Sequence, residues 1–341
     1  MAVTVQDIEV KKAAGIWKPN AYLSNMSMAY FAQGEYAARS LFPVCPVGLS
    51  SSYYYTFSKG DLARDNVQRK PAFGHVTPAV MGLTDSTYAC KVDQVLVGID
   101  KISALDYTRS AAPGVADPRR AKVRFVAEQM NLHQDLLFAA NFFKAGVWKN
   151  EWEGAAAANA AQKKFLKFDD SNCDPVVLFD GLINEIRRVG RRKPNKLALG
   201  VDVFAKLKHN HFIMERVKYT GTTANPAVVT EQVLAQLFGV QQVVVLDSTY
   251  NAAAAGMDER MEYICDSKAA LLCYTTDTPQ IDEPSAGYIF AWDMLGNGQY
   301  IATSQFEGAP ADHTEFIEGL IATDMKKTSD DLAVFLKNCV D

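Results

Sequence analysis

The sequence SSYYYTFSKGDLARDNVQRKPAFGHVTPAVMGLTDSTYACKVDQVLV, residues 51–97, joins two strand-like segments through a long polar stretch. The first segment, YYYTF (53–57), is rich in aromatic residues, and the second, TYACKVDQVLVGID (87–100), has the composition of a strand. About thirty residues lie between them, and a loop of that length inside a compact domain is uncommon and usually functional or disordered. The stretch therefore predicts either a functional extension or a disordered surface loop.

In the second strand-like segment, Tyr88, Val92 and Leu96 fit the buried side of a ribbon. The segments that precede the first strand-like segment predict less regular structure. FPVCPV (42–47) contains two prolines and cannot be a central strand. Residues 1–40 have a mixed character that predicts an N-terminal arm, with a short helix around residues 23–38.

Composition places the chain among globular proteins. Hydrophobic residues make up 48% of its 341 residues and charged residues 22%, which is enough apolar material for a sizeable core. The net charge of −4 is not that of a strongly basic, sequence-reading nucleic-acid binder. Six scattered cysteines without a CxxC pair predict reduced thiols in a cytosolic compartment. We expect no signal peptide and no transmembrane helix, because neither pattern is present.

The clearest predicted element is a long helix over residues 117–146. Asp117 is a good N-cap, Pro118 suits the first helical turn, and Gly146 stands where a C-cap glycine belongs. Seven residues share one face at helical spacing and predict the buried side: Val123, Val126, Met130, His133, Leu137, Ala140 and Phe143. His133 on this face is predicted to be a satisfied core histidine rather than a base.

The middle of the chain alternates helices and strands, which favours an α/β domain over residues 174–292. The Ala-rich piece at 153–164 predicts a helical or flexible connector before it. The first predicted element is a helix at 174–190, with Asp174 as its cap, Pro175 at its first position and Gly190 as its stop. It is followed by a strand at 196–200, a helix at 202–211 capped by Asp202, a helix at 230–240 capped by Thr230 or by Asn225–Pro226, and strands at 241–247, 264–275 and 286–292. After residue 299, the chain reads as extended segments.

No recognisable active site accompanies these elements. Both phosphate-loop signatures, the GxSxG nucleophile elbow and the HExxH zinc motif are absent from the sequence. His209 and His211 lie two positions apart with Glu215 nearby, and residues two apart on a helix do not share a face, so surface or partly buried histidines are favoured there over a metal site. We therefore predict that the chain is not an enzyme and uses no cofactor and no metal.

A basic cluster follows the second predicted helix. Its five charges are Arg187, Arg188, Arg191, Arg192 and Lys193. One interpretation is plain positive charge at a helix C-terminus, which the helix dipole favours. The other is a patch that faces a polyanion or an acidic neighbouring subunit.

In its order of elements, the chain resembles the major capsid proteins of tailed bacteriophages, which form the HK97-like fold family. No single motif is diagnostic, and the joint order over essentially the whole chain carries the resemblance. The segments that carry it lie at 41–65, 80–103, 117–148, 194–221, 233–256 and 267–275.

The resemblance implies an α+β fold of the HK97-like capsid type, with an N-terminal arm, an extended E-loop, a peripheral domain with a long spine helix, and an α/β axial domain. The implied divisions are residues 1–41 for the N-terminal arm, 42–103 for the E-loop and its flanking strands, 104–173 for the peripheral domain with its spine helix and connector, 174–295 for the axial domain, and 296–341 for the return strands of the peripheral domain.

The function implied is that of a major capsid protein, which self-assembles as pentamers and hexamers into an icosahedral shell around phage double-stranded DNA. The long polar stretch is then an E-loop that lies over a neighbouring subunit, and Lys59, Arg64, Arg69 and Lys70 join the basic cluster as interface or DNA-facing candidates. Further implied partners are scaffolding, portal and decoration proteins, and no membrane is involved. The implied location is the virion capsid, assembled in the host cytoplasm.

Two other functions remain open at the level of sequence. An encapsulin-like nanocompartment would use the same fold around an enzyme cargo. A cytosolic α/β enzyme with unusual appendages would require a catalytic site that the sequence does not present.

Overall fold

The structure, a computed structural model, describes most of the chain. The described residues are 36–57, 59–70, 72–76, 78–80, 82–100, 118–218, 229–254, 256–279, 283–296, 300–307 and 314–341. Most of the helix predicted around residues 23–38 lies outside them. The first helix described covers Ala37–Leu41.

The described residues form helices and strands in alternation. The helices are α1 (Ala37–Leu41), α2 (Lys59–Ala63), α3 (Pro118–Asn141), α4 (Pro175–Gly190), α5 (Val201–His209), α6 (His211–Val217), α7 (Glu231–Phe238) and α8 (Asp293–Gly296). The strands are β1 (Val44–Val47), β2 (Ser51–Phe57), β3 (Leu83–Ala89), β4 (Lys91–Asp100), β5 (Glu151–Ala155), β6 (Lys164–Leu166), β7 (Lys196–Gly200), β8 (Gln242–Leu246), β9 (Thr249–Asn251), β10 (Met261–Tyr263), β11 (Ala270–Cys273), β12 (Gly287–Trp292), β13 (Ala302–Glu307), β14 (Thr314–Lys327) and β15 (Ala333–Lys337).

A six-stranded sheet in the order β6-β5-β15-β11-β7-β8 organises the first core. Strand β7, KLALG, is buried at every position, as its unbroken apolar composition predicts. Its side chains alternate between two cores: Leu197 and Leu199 pack with α4, α5 and α7, whereas Ala198 packs with α1 and the end of α3. The sheet is therefore covered by helices on both faces.

Helix α4 forms where its caps predict it. The Asp174 side chain accepts a hydrogen bond from Val176 N at 3.1 Å, and Pro175 occupies the first turn. Both guanidinium nitrogens of Arg216 lie 2.8 Å from the Asp174 carboxylate, and this pairing lowers the pKa of Asp174. The residue in the left-handed conformation at the end of the helix is Arg191, with φ of 59°, rather than the predicted glycine stop.

Gly190 is needed for a close approach, which gives a testable prediction. A Cβ at Gly190 would lie 2.6 Å from the backbone oxygen of Asp331, whereas a Cβ at Gly181, earlier in the same helix, meets nothing within 4 Å. We expect Gly181→Ala to stabilise the fold by about 0.5–1 kcal/mol, because alanine loses less backbone entropy in a helix. We expect Gly190→Ala to lower the melting temperature. Equal melting temperatures for the two variants would contradict this packing.

A five-stranded sheet forms the second layer of the molecule. Its long strand, β14, pairs with β4 on one edge and with β13 on the other, and β12 continues that second edge toward β1. Among the described residues, strand β1 pairs with β12 alone, in parallel. Pro46 therefore lies in an edge strand, as its missing N–H requires.

The long helix α3 packs across both sheets, and it differs from the prediction in two ways. It ends at Asn141 rather than Gly146, because Phe142, Phe143 and Trp148 turn inward to the core. The Trp148 Nε1 donates to Phe142 O at 2.8 Å and closes this turn. Gly146 has φ of +87° within the turn and does not cap the helix.

The buried face of α3 matches the prediction only in its first half. Val123, Val126 and Met130 are buried, but the second half buries Asp135 and Phe138. Of the predicted residues of the second half, His133 and Leu137 are half-buried and Ala140 is exposed, whereas Phe143, just beyond the end of α3, is buried as predicted. His133 is thus no core residue, and its Nε2 lies 3.4 Å from Asp93 Oδ2, which raises the pKa of the imidazole.

The burial of Asp135 explains why the buried face in the second half of α3 differs from the predicted one. Its carboxylate accepts hydrogen bonds from Ala38 N at 2.9 Å and Ala37 N at 3.3 Å, at the start of α1. The Ser248 Oγ lies 3.4 Å away. Burial raises the pKa of Asp135, so these donors partly offset the cost of removing a carboxylate from water.

Four further predictions are corrected by the structure. The segment 153–164 contains part of β5 and a 3-10 turn rather than a connector, because β5 pairs with both β15 and β6. The helix predicted at 202–211 is two helices, broken at Asn210, whose side chain accepts from Phe212 N at 3.0 Å. Asp202 lies inside α5 and is not its cap. The strand predicted at 264–275 covers Ala270–Cys273 alone.

The segment 87–100 also departs from its prediction. It divides between β3 and β4 at Cys90, and Leu96 is exposed. The prediction holds for Tyr88, which is buried, and for Val92, which packs against the core cluster that contains Tyr88 and Phe290. The side chains of β4 that pack against α3 are Val95, Val97 and Ile99.

The predicted domain boundaries remain a prediction, and strand pairing crosses them. Strands β5, β6 and β15 share the six-stranded sheet with β7 and β8. Strand β12, inside the predicted axial range, pairs instead with β1 and β14.

Candidate assembly surface

Strands β2 and β3 form a separate two-stranded ribbon. They pair antiparallel from Ser51↔Ala89 to Phe57↔Leu83 and with no other strand among the described residues. One face of the ribbon rests on the subunit, where the Tyr88 ring stacks on Phe290 at a centroid distance of 4.6 Å. The other face presents Tyr53 and Tyr55, which are 62% and 59% exposed.

The loop between these strands, residues 58–82, contributes nothing to any hydrophobic core cluster of the described residues. Asp61 accepts a hydrogen bond from Gly82 N at 3.0 Å and holds the base of the loop closed. Beyond that base the apolar side chains of Val67, Phe73 and Val80 are 81% exposed or more. The loop therefore has the character of a surface that a neighbour covers.

The loop candidates lie where the sequence analysis expects them. Arg64, Arg69 and Lys70 are exposed. Lys59 begins α2. Arg64, Arg69 and Lys70 are therefore available to a partner, and the role of all four candidates stays a prediction.

The basic cluster, residues 187–193, lies on the surface at the end of α4. Its five charged side chains are exposed. Arg192 lies 3.6 Å from Glu283 Oε1 and 5.9 Å from the Tyr274 ring centroid. Within the described part of the chain, Arg187, Arg188 and Lys193 make no ion pair. The two loci, loop and cluster, lie on different parts of the chain and are not brought into one site.

None of the six cysteines carries an activated thiol. Burial raises the pKa of all six thiols, and those of Cys90, Cys173, Cys265 and Cys273 reach about 12. None of the cysteines is bonded to another. Among the described residues, no group of three His, Cys, Asp or Glu side chains could hold a metal ion. No helix in the described ranges is long and apolar enough to cross a membrane.

One surface was missed at the level of sequence. Strands β9 and β10 form a hairpin, residues 247–263, that exposes Met257, Met261 and Tyr263. The same hairpin holds four carboxylates, Asp247, Asp258, Glu259 and Glu262, against one arginine, Arg260. Its strands of three residues are too short for a periodic pattern to reveal them.

Comparison with known proteins completes the description. No protein-family model matches the chain. The major capsid protein of Burkholderia phage BcepMu is 23% identical over 231 residues, which are 67% of this chain and 68% of that protein. A phage-related protein from Bordetella bronchiseptica RB50 has a similar structure, with a TM-score of 0.69 and 18% identity, over 94% of this chain and 97% of that one. The chain is a phage-type capsid shell protein with the HK97-like fold.

A second solved structure extends the likeness of the fold. The virus-like particle from Pyrococcus furiosus superposes on this capsid protein with a TM-score of 0.50 and 11% identity, over 93% of this chain and 98% of that one. The α+β fold class implied by the sequence is thereby confirmed. The capsid protein resembles structural proteins rather than enzymes, and a virion capsid is the location that its relatives indicate.

Proposed function

We propose that this chain assembles with copies of itself, as pentamers and hexamers, into a closed icosahedral shell around double-stranded DNA. The observation that carries the proposal is the loop of the ribbon, residues 58–82, which lies outside every core cluster of the described residues and leaves Val67, Phe73 and Val80 exposed. Exposed apolar side chains and unpaired strand edges are satisfied when a neighbouring subunit covers them. Many modest contacts of this kind sum over a closed shell.

The content of the shell is double-stranded DNA in this proposal, held by contacts that do not read sequence. Scaffolding, portal and decoration proteins are the further partners, and assembly takes place in the host cytoplasm. The chain's net negative charge fits a container better than a tight DNA binder, because binding of phosphates scales with the number of Lys and Arg contacts.

Electron microscopy of the purified chain tests the proposal. We expect closed particles of uniform diameter, and we expect particles from phage-producing cells to contain nuclease-protected DNA. Particles that hold a protein cargo and no nucleic acid would favour the encapsulin-like nanocompartment instead. A chain that stays monomeric under all assembly conditions would overturn the shell itself.

The basic cluster gives a prediction that depends on salt. We expect neutralisation by Arg187→Gln, Arg188→Gln and Lys193→Gln to leave the subunit folded and to weaken assembly. The loss should be larger at about 0.05 M than at about 1 M salt. At about 1 M salt, screening shortens the Debye length from above 10 Å to about 3 Å, so the native contacts are already weakened and the substitutions remove less. Sedimentation velocity at both salt concentrations measures the assembled fraction.

A matched control separates the position of the charges from their number. Lys144, Lys149 and Lys206 are exposed elsewhere, and their change to Gln removes the same charge. This control should assemble like the native chain. If the cluster variant also does so at both salt concentrations, the cluster is plain solvated surface.

A further inference from the structure

The basic cluster and the hairpin lie at opposite ends of one sheet. Strands β7 and β8 run parallel, in register from Lys196↔Gln242 to Gly200↔Leu246. The cluster, residues 187–193, immediately precedes β7, and the hairpin, residues 247–263, immediately follows β8. Because parallel strands begin at one end of a sheet and finish at the other, five residues of strand separate the two surfaces by about 15 Å.

The two surfaces carry opposite charge. Residues 187–193 contain five positive charges and no carboxylate, whereas residues 247–263 contain four carboxylates and one arginine. Ion pairs within the subunit neutralise only part of the charge on each surface. Glu283 pairs with Arg192 of the cluster, and Arg260 pairs with Glu262 of the hairpin at 2.5 Å. Asp258 and Glu259 make no ion pair within the described residues.

The hairpin also presents apolar surface. Met257, Met261 and Tyr263 are 74%, 61% and 47% exposed on the same short ribbon. A surface of exposed Met and Tyr side chains beside unpaired charges has the composition of a protein contact rather than of plain solvated loop. Two complementary patches on one subunit, at different places, form a heterologous contact, and such contacts generate rings when the rotation closes.

We infer that the hairpin of one copy docks on the basic cluster of the next copy around each ring of subunits. Asp258 and Glu259 pair across the contact with Arg187, Arg188 and Lys193, while Met257, Met261 and Tyr263 lose water. The contact is directional, so each subunit uses both of its patches, one toward each neighbour. This inference rests on the proposed shell function and assigns the pair of surfaces that closes its rings.

Charge reversal tests the contact with three full-length chains. The first carries Arg187→Glu, Arg188→Glu and Lys193→Glu, which leaves two arginines against three carboxylates in the cluster. The second carries Asp258→Lys and Glu259→Lys, which leaves the hairpin with two carboxylates against three cations. The third carries all five changes. Circular dichroism and melting curves establish that each chain is folded.

We expect the first and second chains to lose at least about tenfold in assembled fraction at low salt, since like charges then face each other. The third chain should regain assembly, because the two reversed patches are again complementary. An equimolar mixture of the first and second chains gives a sharper result. The two chains match only in alternation, so the mixture should form rings of six but no rings of five, which native mass spectrometry distinguishes.

Three results would overturn the inference. If the first and second chains assemble like the native protein, the patches do not meet. If both fail and the third does not recover, the patches face other partners, and a loss of packaged DNA alone would assign the cluster to nucleic acid. If a reversed chain is unfolded, the neutral forms with Gln or Asn at the same positions replace it; the inference then requires that combining the neutral cluster and the neutral hairpin adds little to the loss that either change causes alone, and additive losses would overturn it. A native chain that forms no particles would overturn the proposed function as well.

Discussion

A chain in which residues 58–82 are replaced by Asn-Gly is expected to fold normally and to lose assembly by at least about tenfold. Phe57 and Leu83 are the last paired residues of the ribbon, so a two-residue turn can close it, and Asn-Gly suits the turn that such hairpins use. No residue of the excised loop belongs to a core cluster of the described chain. The melting temperature should therefore change by no more than about 2 °C.

A second loop variant separates length from side-chain chemistry. Replacement of residues 59–81 by a Gly/Ser segment of the same length keeps the reach of the loop but removes Phe73 and the four charged candidates of the loop, Lys59, Arg64, Arg69 and Lys70. We expect this chain to assemble poorly too, because the exposed side chains make the contact. Sedimentation and microscopy measure both chains. Normal particles from the Asn-Gly chain would show that assembly does not need the loop. An unfolded product would show that the loop is part of the core.

Elements with strong local signals could be predicted from the sequence. Helix α4 begins at an Asp-Pro pair, and helix α7 begins after Thr230, whose Oγ1 accepts a hydrogen bond from Val233 N. Gly239 ends α7 with φ of 65°. Caps of this kind involve residues within a few positions of each other, so the sequence alone contains the whole interaction.

The second half of α3 could not be predicted in that way. Periodicity assigns apolar residues to the core and places Asp135 on the surface. The structure buries Asp135 because its partners are the backbone N–H groups of α1, about a hundred residues earlier in the chain. A contact between distant segments leaves no trace in the local pattern, and the periodicity therefore assigns Leu137 rather than Phe138 to the core.

The two parts of the candidate assembly surface also differ in whether the sequence predicts them. The exposure of the basic cluster follows from its charge and from its place after a helix, and the structure agrees. The hairpin that faces the other way is recognisable only when β7 and β8 are known to be parallel, because that pairing places the two patches at opposite ends. Complementarity between surfaces is a property of the tertiary fold rather than of either segment.

The second large expected effect is on the stability of the subunit, and it differs between the adjacent residues Leu137 and Phe138 of α3. The Phe138 side chain is fully buried, with ring centroids of Phe42 and Phe142 at 5.2 Å and 6.0 Å. We expect Phe138→Ala to lower the free energy of unfolding by about 3–5 kcal/mol, because it removes a ring from this aromatic group and leaves a cavity. Leu137, half-buried on the neighbouring face, should cost less than about 2 kcal/mol when changed to Ala.

Urea denaturation of the unassembled subunit measures both variants. Each change introduces alanine into the same turn of the same helix, so the helical propensity of the product is equal and the difference reports packing. Phe138 also contacts Phe42, next to α1, so its loss should loosen the start of the described chain and raise hydrogen exchange at Ala37 and Ala38. If Leu137→Ala proves as costly as Phe138→Ala, the buried face of α3 is the one that the sequence periodicity predicts, and the anchoring of α1 by this helix is wrong.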